Sequence, residues 1–258
     1  MQETIQAIVF IFASILHGIA GMGFPILATA SLTFVMPLSK VVALVALPSL
    51  LMSVLLVLTN NTQKSLFKES IYYLKSYKFL WISCVIGTIL GVKLLLILPM
   101  AWLYLLMASV TLYYSLNGLF ALQGKVRPIK VADNSKNMIL FGFFAGLIGG
   151  ATNAMSPILL MFLFSQCDDK NRITKASNLC FLLAKIIQIY MLRDVYFSLE
   201  NGEYALIAFL TIFSILGLYF GIWLRSKISA KIFKILIFVI LLLLALKIGY
   251  SGISKILF

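Results

Sequence analysis

Two glycine-rich interruptions in long apolar segments constrain the fold of this chain more than any other feature. The first occupies residues 17–27 and the second residues 146–159, and each closes with Pro-Ile-Leu, at 25–27 and at 157–159. Paired interruptions at corresponding places of two hydrophobic halves are typical of the binding sites of secondary transporters. The pattern therefore predicts a membrane protein of two related halves, with a binding site at the interruptions.

The composition places the chain in a membrane. Hydrophobic residues make up 62% and charged residues 11%, against about 25% charged residues in soluble domains, and the mean hydropathy is +1.06. Six further apolar runs each approach the ~20 residues that cross a bilayer core; they are 39–58, 79–98, 101–122, 172–192, 203–224 and 232–253. We expect one all-α integral membrane domain.

A weak internal duplication divides the chain. Residues 25–50 align without gaps on residues 157–182, so that the two Pro-Ile-Leu motifs and several later positions coincide. The only long polar connector is 123–137. We therefore expect a first transmembrane repeat over 1–122, a linker over 123–137 on the cytoplasmic side, and a second repeat over 138–258.

The distribution of Lys and Arg favours a specific topology. The first interrupted segment runs from about Thr4 to Met36 and would be ~50 Å long as one helix, too long for an ordinary crossing. If both interrupted segments cross, the Lys and Arg of the loops and ends divide ten to eight between the two sides. If both are re-entrant hairpins, the division is fifteen to three, as the positive-inside rule requires. We therefore predict two hairpins, three crossings per half, inverted repeats and both termini outside the cytoplasm.

The second arm of each hairpin begins near mid-membrane in this arrangement. Proline is favoured at the first position of a helix, Ser156 is a suitable N-cap, and free backbone N–H groups at helix starts bind anions. Alternatively, the glycines serve only close helix packing. The residues predicted to bind substrate are Gly21, Gly23, Phe24, Pro25, Gly149, Gly150, Thr152, Asn153, Ser156, Pro157 and Lys185.

Ionisable residues at membrane depth are candidates for function. His17, the only histidine, is either a structural group or a site of proton coupling. Lys185 lies well inside the run 172–192, near Asn178 and Gln188, and either snorkels outward or meets the substrate charge. Lys93 and Lys247 lie nearer to helix ends and are predicted to snorkel.

The two interrupted motifs resemble the paired signatures of the sulfite exporter TauE/SafE family. They read Gly-Met-Gly-Phe-Pro-Ile-Leu at 21–27, and Gly-Leu-Ile-Gly-Gly followed by Ser-Pro-Ile-Leu within 146–159. The resemblance covers almost the whole chain and implies a multi-pass transporter of small anions, including sulfite and organosulfonates. The first motif has Gly21-Met22-Gly23 where many members have a longer glycine run. We expect a secondary transporter in the cell membrane, with a bacterial inner membrane as the setting.

Other functional classes fit the sequence less well. The formal net charge of +13 is explained by topology-fixing loops and not by nucleic-acid binding. The expected partners are the bilayer and a small anionic substrate. The chain has no GxxxxGK[ST] motif for ATP hydrolysis, and we expect no cofactor, metal site or disulfide framework. A passive anion channel is the alternative. A membrane-embedded enzyme is less well supported, because the sequence does not place a nucleophile beside a base. The oligomeric state is left open.

Overall fold

The computed structural model describes residues 2–33, 36–59, 66–126 and 130–257, and within these ranges the chain is helical without strands. The predicted all-α class is confirmed. The described helices are α1 Gln2–Ala20, α2 Phe24–Leu32, α3 Leu38–Leu58, α4 Leu66–Ser76, α5 Lys78–Ile97, α6 Met100–Leu122, α7 Ser135–Thr152, α8 Ser156–Gln166, α9 Lys170–Met191, α10 Arg193–Phe197, α11 Asn201–Arg225 and α12 Ala230–Leu257.

Four helices of the described ranges are long and apolar enough to cross a membrane. They are α3, α5, α11 and residues Lys234–Ser254 of α12, and they support the predicted multi-pass membrane class. The other two predicted crossings coincide with α6 and α9, which have 23 and 22 residues. At 1.5 Å per residue, each is about 33 Å long.

Two short helices were not predicted from the sequence. The 11-residue helix α4 lies within the expected loop 59–78, and the five-residue helix α10 follows α9. On α4, Tyr72 is exposed whereas the adjacent Tyr73 is buried, so this helix has one apolar face. A search for long apolar runs misses such helices, because only part of their surface is hydrophobic.

Both interrupted segments break into two helices. Left-handed backbone ends α1 at Gly21 (φ 74°), precedes α2 at Gly23 (φ 110°) and ends α7 at Asn153 (φ 64°). Glycine adopts this conformation without steric cost, and asparagine is among the few other residues that tolerate it. The breaks therefore fall where the sequence predicted them.

Neither interrupted segment continues as one straight helix. The rings of Phe10 and Phe24 are 5.3 Å apart, and those of Phe141 and Phe162 are 5.9 Å apart. On one continuous helix these pairs would be separated by about 21 and 32 Å. The amide Nε2 of Gln166, at the end of α8, donates to the carbonyl oxygen of residue 131 at 3.0 Å, so the end of the α7–α8 pair returns to its beginning.

The helix packing repeats between the halves. If α1–α6 are matched in order with α7–α12, the pairing of α1 with α11 corresponds to that of α5 with α7, and both are extensive. The pairs α3–α9 and α6–α12 each join matched helices. The internal duplication itself stays a prediction.

Glycines allow the two extensive pairs to approach closely. A Cβ atom on Gly146 of α7 would lie 2.0 Å from the carbonyl oxygen of Cys84 on α5. A Cβ on Gly18 of α1 would lie 2.4 Å from the carbonyl oxygen of Leu218 on α11. These glycines serve close packing between membrane helices, as the alternative interpretation of the sequence held.

The basic loops are connected to one another at one end of the molecule, which we call the basic end. Their contacts are Arg172 Nε to Tyr77 Oη at 2.9 Å, Lys170 Nζ to Ile228 O at 2.8 Å, and Lys234 Nζ to Asp168 Oδ1 at 2.5 Å. The opposite end, where α11 begins, is marked by an ion pair between Lys40 and Glu203 at 2.5 Å.

Candidate functional site

The two interruptions meet inside the molecule. The amide Nδ2 of Asn153, at the end of α7, donates a hydrogen bond to the hydroxyl of Thr29 on α2 at 2.8 Å. Gly23 and Ser156, which lie at the starts of α2 and α8, line the same small cavity. Predicted site residues from both halves are therefore neighbours, although they are far apart in sequence.

Lys185 of α9 is held at this junction. Its side chain is 2% exposed, and its ammonium donates to Asn153 Oδ1 and, at 2.6 Å, to Gln188 Oε1. Gln188 Nε2 in turn donates to the carbonyl oxygens of Gly149 and Gly150 at 3.0 and 3.1 Å. Lys185 therefore does not snorkel; it faces the second interruption.

The charge of Lys185 is not balanced by a carboxylate. Both groups that accept its hydrogen bonds are neutral amides, and among the described residues no ion pair includes it. Burial of an unpaired ammonium is costly, and such a group inside a membrane protein normally meets another charge or water. An anionic ligand would supply the missing negative charge.

The same helix also contacts the first interruption. Asn178 Nδ2, about two turns before Lys185, donates to the carbonyl oxygen of Gly21 at 2.7 Å. The fully buried His17 accepts a hydrogen bond at Nδ1 from the backbone N–H of Phe24 at 3.4 Å. His17 thus holds the start of α2 in place, and its role in proton coupling stays a prediction.

A buried polar stripe on α9 connects its contact with Gly21 of the first interruption to its contact with Asn153 of the second. Its members are Thr174, Asn178, Lys185 and Gln188, all at most 2% exposed, and their spacing places them on one side of the helix. We did not assign Thr174, Asn178 or Gln188 to the site from the sequence. The helical spacing of polar residues within an apolar run was the available signal.

The predicted glycines and proline-flanked helix starts have mixed environments. A Cβ on Gly150 would lie 2.6 Å from the carbonyl oxygen of Thr88, and one on Gly149 would lie 2.7 Å from Met155 Cβ. The carbonyl oxygens of Gly149 and Gly150, however, accept hydrogen bonds from Gln188. Pro25 and Pro157 stand at the starts of α2 and α8 and are buried. Phe24 packs against Phe10.

The two hydroxyl groups near the second interruption have different environments. Met155, not Ser156, occupies the N-cap position of α8, and no side chain caps this helix. The Ser156 hydroxyl is buried and has no hydrogen-bond partner among the described residues. Thr152 donates to the carbonyl oxygen of Ile148 in its own helix at 2.7 Å. The N-cap role of Ser156 was wrong, because α8 begins one residue earlier than a serine cap would require.

Metal-binding groups do not gather in the part of the chain that the structure describes: no three His, Cys, Asp or Glu side chains come together there. The family model described as sulfite exporter TauE/SafE matches residues 6–248 of the chain. Neither the curated proteins nor the solved structures gave a significant match.

Proposed function

Because this chain belongs to the sulfite exporter TauE/SafE family of membrane transporters, we propose that it carries small anions through a site at the junction of its two interrupted segments. The proposed substrates are sulfite, organosulfonates or related sulfur-containing or carboxylate compounds. The family assignment supports transport and not enzymatic catalysis. The proposed site residues are those predicted from the sequence, together with Gln188 and Asn178.

The observation that carries this proposal is the buried, carboxylate-free ammonium of Lys185 at the junction. The starts of α2 and α8 add to it, because helices of nine and 11 residues direct their positive dipole ends to the same region. Backbone N–H groups at such starts stabilise carboxylates and sulfur oxyanions. All of these features favour a negative ligand.

The same site favours a carrier over an open channel. The cavity lined by Gly23 and Ser156 has a volume of about 10 Å³, which is room for about one water molecule. A polyatomic anion therefore needs a conformational change to pass. We propose that one half rocks against the other, and that the Asn153–Thr29 hydrogen bond between the interruptions breaks or shifts during this motion.

We also propose the re-entrant, inverted topology of the two repeats. It is supported by the return of α8 to the start of α7, and by the contacts that join the basic loops at one end. It is supported further by the direction of matched helices: α5 begins beside Tyr77 at the basic end, whereas α11 begins beside Glu203 at the opposite end. The basic end is then cytoplasmic.

Reporter fusions will test this topology. We expect fluorescence from a green fluorescent protein fused after Gly124, because the basic end faces the cytoplasm. Alkaline phosphatase is expected to be active when fused after Ser198 or at the C-terminus, since six crossings from an outer N-terminus end outside. A fluorescent C-terminal fusion would contradict the re-entrant arrangement.

Transport by purified protein will test the function. We expect proteoliposomes to accumulate one or more of sulfite, thiosulfate, sulfoacetate and small carboxylates above the level of empty vesicles. Uptake should saturate and show counterflow, because a carrier turns over one site. Monovalent cations and neutral amines should not be taken up. Uptake of cations alone, or single-channel currents, would contradict an anion carrier.

A further inference from the structure

Three cavities follow one another along α12. At the basic end, a cavity of about 190 Å³ contacts Lys234 and Phe238. The small cavity at the interruptions is next, beside Leu241 and Leu244. A third, also about 10 Å³, contacts Lys247 and is lined by Thr29 and Thr152. From Lys234 to Lys247 the helix rises about 20 Å, so the row covers much of the bilayer thickness.

The cavity at the basic end, which we call the basic-end cavity, lies between α6, α8 and α12. Asn117 and Ala121 of α6 and Phe164 of α8 line it together with Lys234. The ammonium of Lys234 lies 5.4 Å from the centre of the Phe164 ring and 2.5 Å from Asp168 Oδ1. One cation, one amide and several aromatic rings thus surround a space of about 190 Å³ at the basic end.

Asp168 is the more exposed partner of this ion pair. Its side chain is 75% exposed, whereas that of Lys234 is 21% exposed. Ion pairs near solvent contribute little stability, so another anion can replace such a carboxylate at low cost. An anion in the basic-end cavity would then bind Lys234 in the place of Asp168.

A residue beside the next cavity along α12 has an unsatisfied polar group. Ser156 borders this cavity and is 1% exposed, and its buried hydroxyl has no hydrogen-bond partner among the described residues. Buried hydroxyls are normally hydrogen-bonded, and an exception calls for a missing partner such as water or a ligand. Leu160 and Met161, consecutive residues of α8, line this cavity and the basic-end cavity respectively, so both spaces border the same turn of α8.

We propose that anions move between the basic end and the interruptions along α12, and that Lys234 in the basic-end cavity is their first cationic contact. In the absence of substrate, Asp168 forms the ion pair with Lys234; the arriving anion displaces Asp168 from this pair. This inference rests on the proposed function, and it adds a second anion-binding site to the one at Lys185.

Neutralising each partner of this ion pair will test the proposal, because the two variants should change the KM in opposite directions. In proteoliposome uptake driven from the basic end, Lys234→Gln should raise the KM for the transported anion roughly tenfold. Asp168→Asn should lower the KM by roughly threefold, because it removes the carboxylate that competes with the anion for Lys234. The effect is small because an exposed ion pair contributes little binding free energy. Matched controls are Lys231→Gln on the same helix and Asp133→Asn at the same end, both exposed, and neither should change the KM.

Filling the cavity provides a second test that does not alter charge. Ala121→Trp places an indole in the basic-end cavity and should reduce uptake at least tenfold, whereas Tyr113→Trp on the exposed face of α6 should not. If wild-type protein transports no anion, the proposed function fails. If it transports anions but Lys234→Gln behaves like Lys231→Gln and Ala121→Trp retains uptake, the route along α12 is overturned. Thermal unfolding must show that Ala121→Trp is folded; if it is not, the paired KM shifts decide.

Discussion

Replacement of Lys185 by glutamine is expected to weaken binding of the transported anion by roughly 10- to 100-fold. Hydrogen bonds to charged groups contribute about 1.5–3 kcal/mol, and each 1.4 kcal/mol corresponds to a factor of about ten. Glutamine retains a donor for Asn153 and fits beside Gln188, so the variant loses the charge and not the packing. The measurement is the Kd of purified protein for the anion identified in the transport screen.

The control for this variant is Lys93→Gln. Lys93 is an exposed lysine on α5, so loss of its charge should leave the Kd unchanged. Lys247 is also predicted to snorkel, but it lines the third cavity with Thr29 and Thr152 and is not a suitable control. Equal affinities of the Lys185 and Lys93 variants would contradict an anion site at the buried ammonium.

Removal of the Asn153 side chain is expected to reduce transport more than tenfold while the protein stays folded. Asn153 accepts from Lys185 and donates to Thr29, so its loss separates α9 from α2 and leaves Lys185 with one amide partner. Glycine is the appropriate replacement, because Asn153 has φ 64° and alanine would add about 1–2 kcal/mol of backbone strain there. Uptake and thermal unfolding are measured on the same preparation of Asn153→Gly.

Two further variants make this result interpretable. Thr29→Val removes only the acceptor of the hydrogen bond from Asn153, and a smaller loss of transport is expected from it. Gly150→Leu, by contrast, would force a side chain against the backbone of Thr88, so loss of its activity would report helix packing. Wild-type uptake by Asn153→Gly would reduce Asn153 to a structural cap of α7.

The class of the protein and its helix breaks follow from the sequence itself. Apolar runs of about 20 residues identify spanning helices, because the bilayer core has a fixed thickness. The breaks at Gly21, Gly23 and Asn153 are local as well: they need a residue that tolerates positive φ, followed by a proline that starts the next helix. Two motifs with this pattern were enough to suggest the family, and the family model confirmed it.

The site itself was decided by tertiary structure. Whether Lys185 snorkels or is buried depends on Asn153, which lies 32 residues away in sequence. Likewise, the packing role of Gly146 depends on the backbone of α5. Neither partner is visible in a local pattern, because spacing along a helix fixes which residues share a face and not what that face meets. The pairing of α7 with α5 and the position of α9 against both interruptions place Lys185, a lysine of undetermined role in the sequence, as a buried cation at the second interruption.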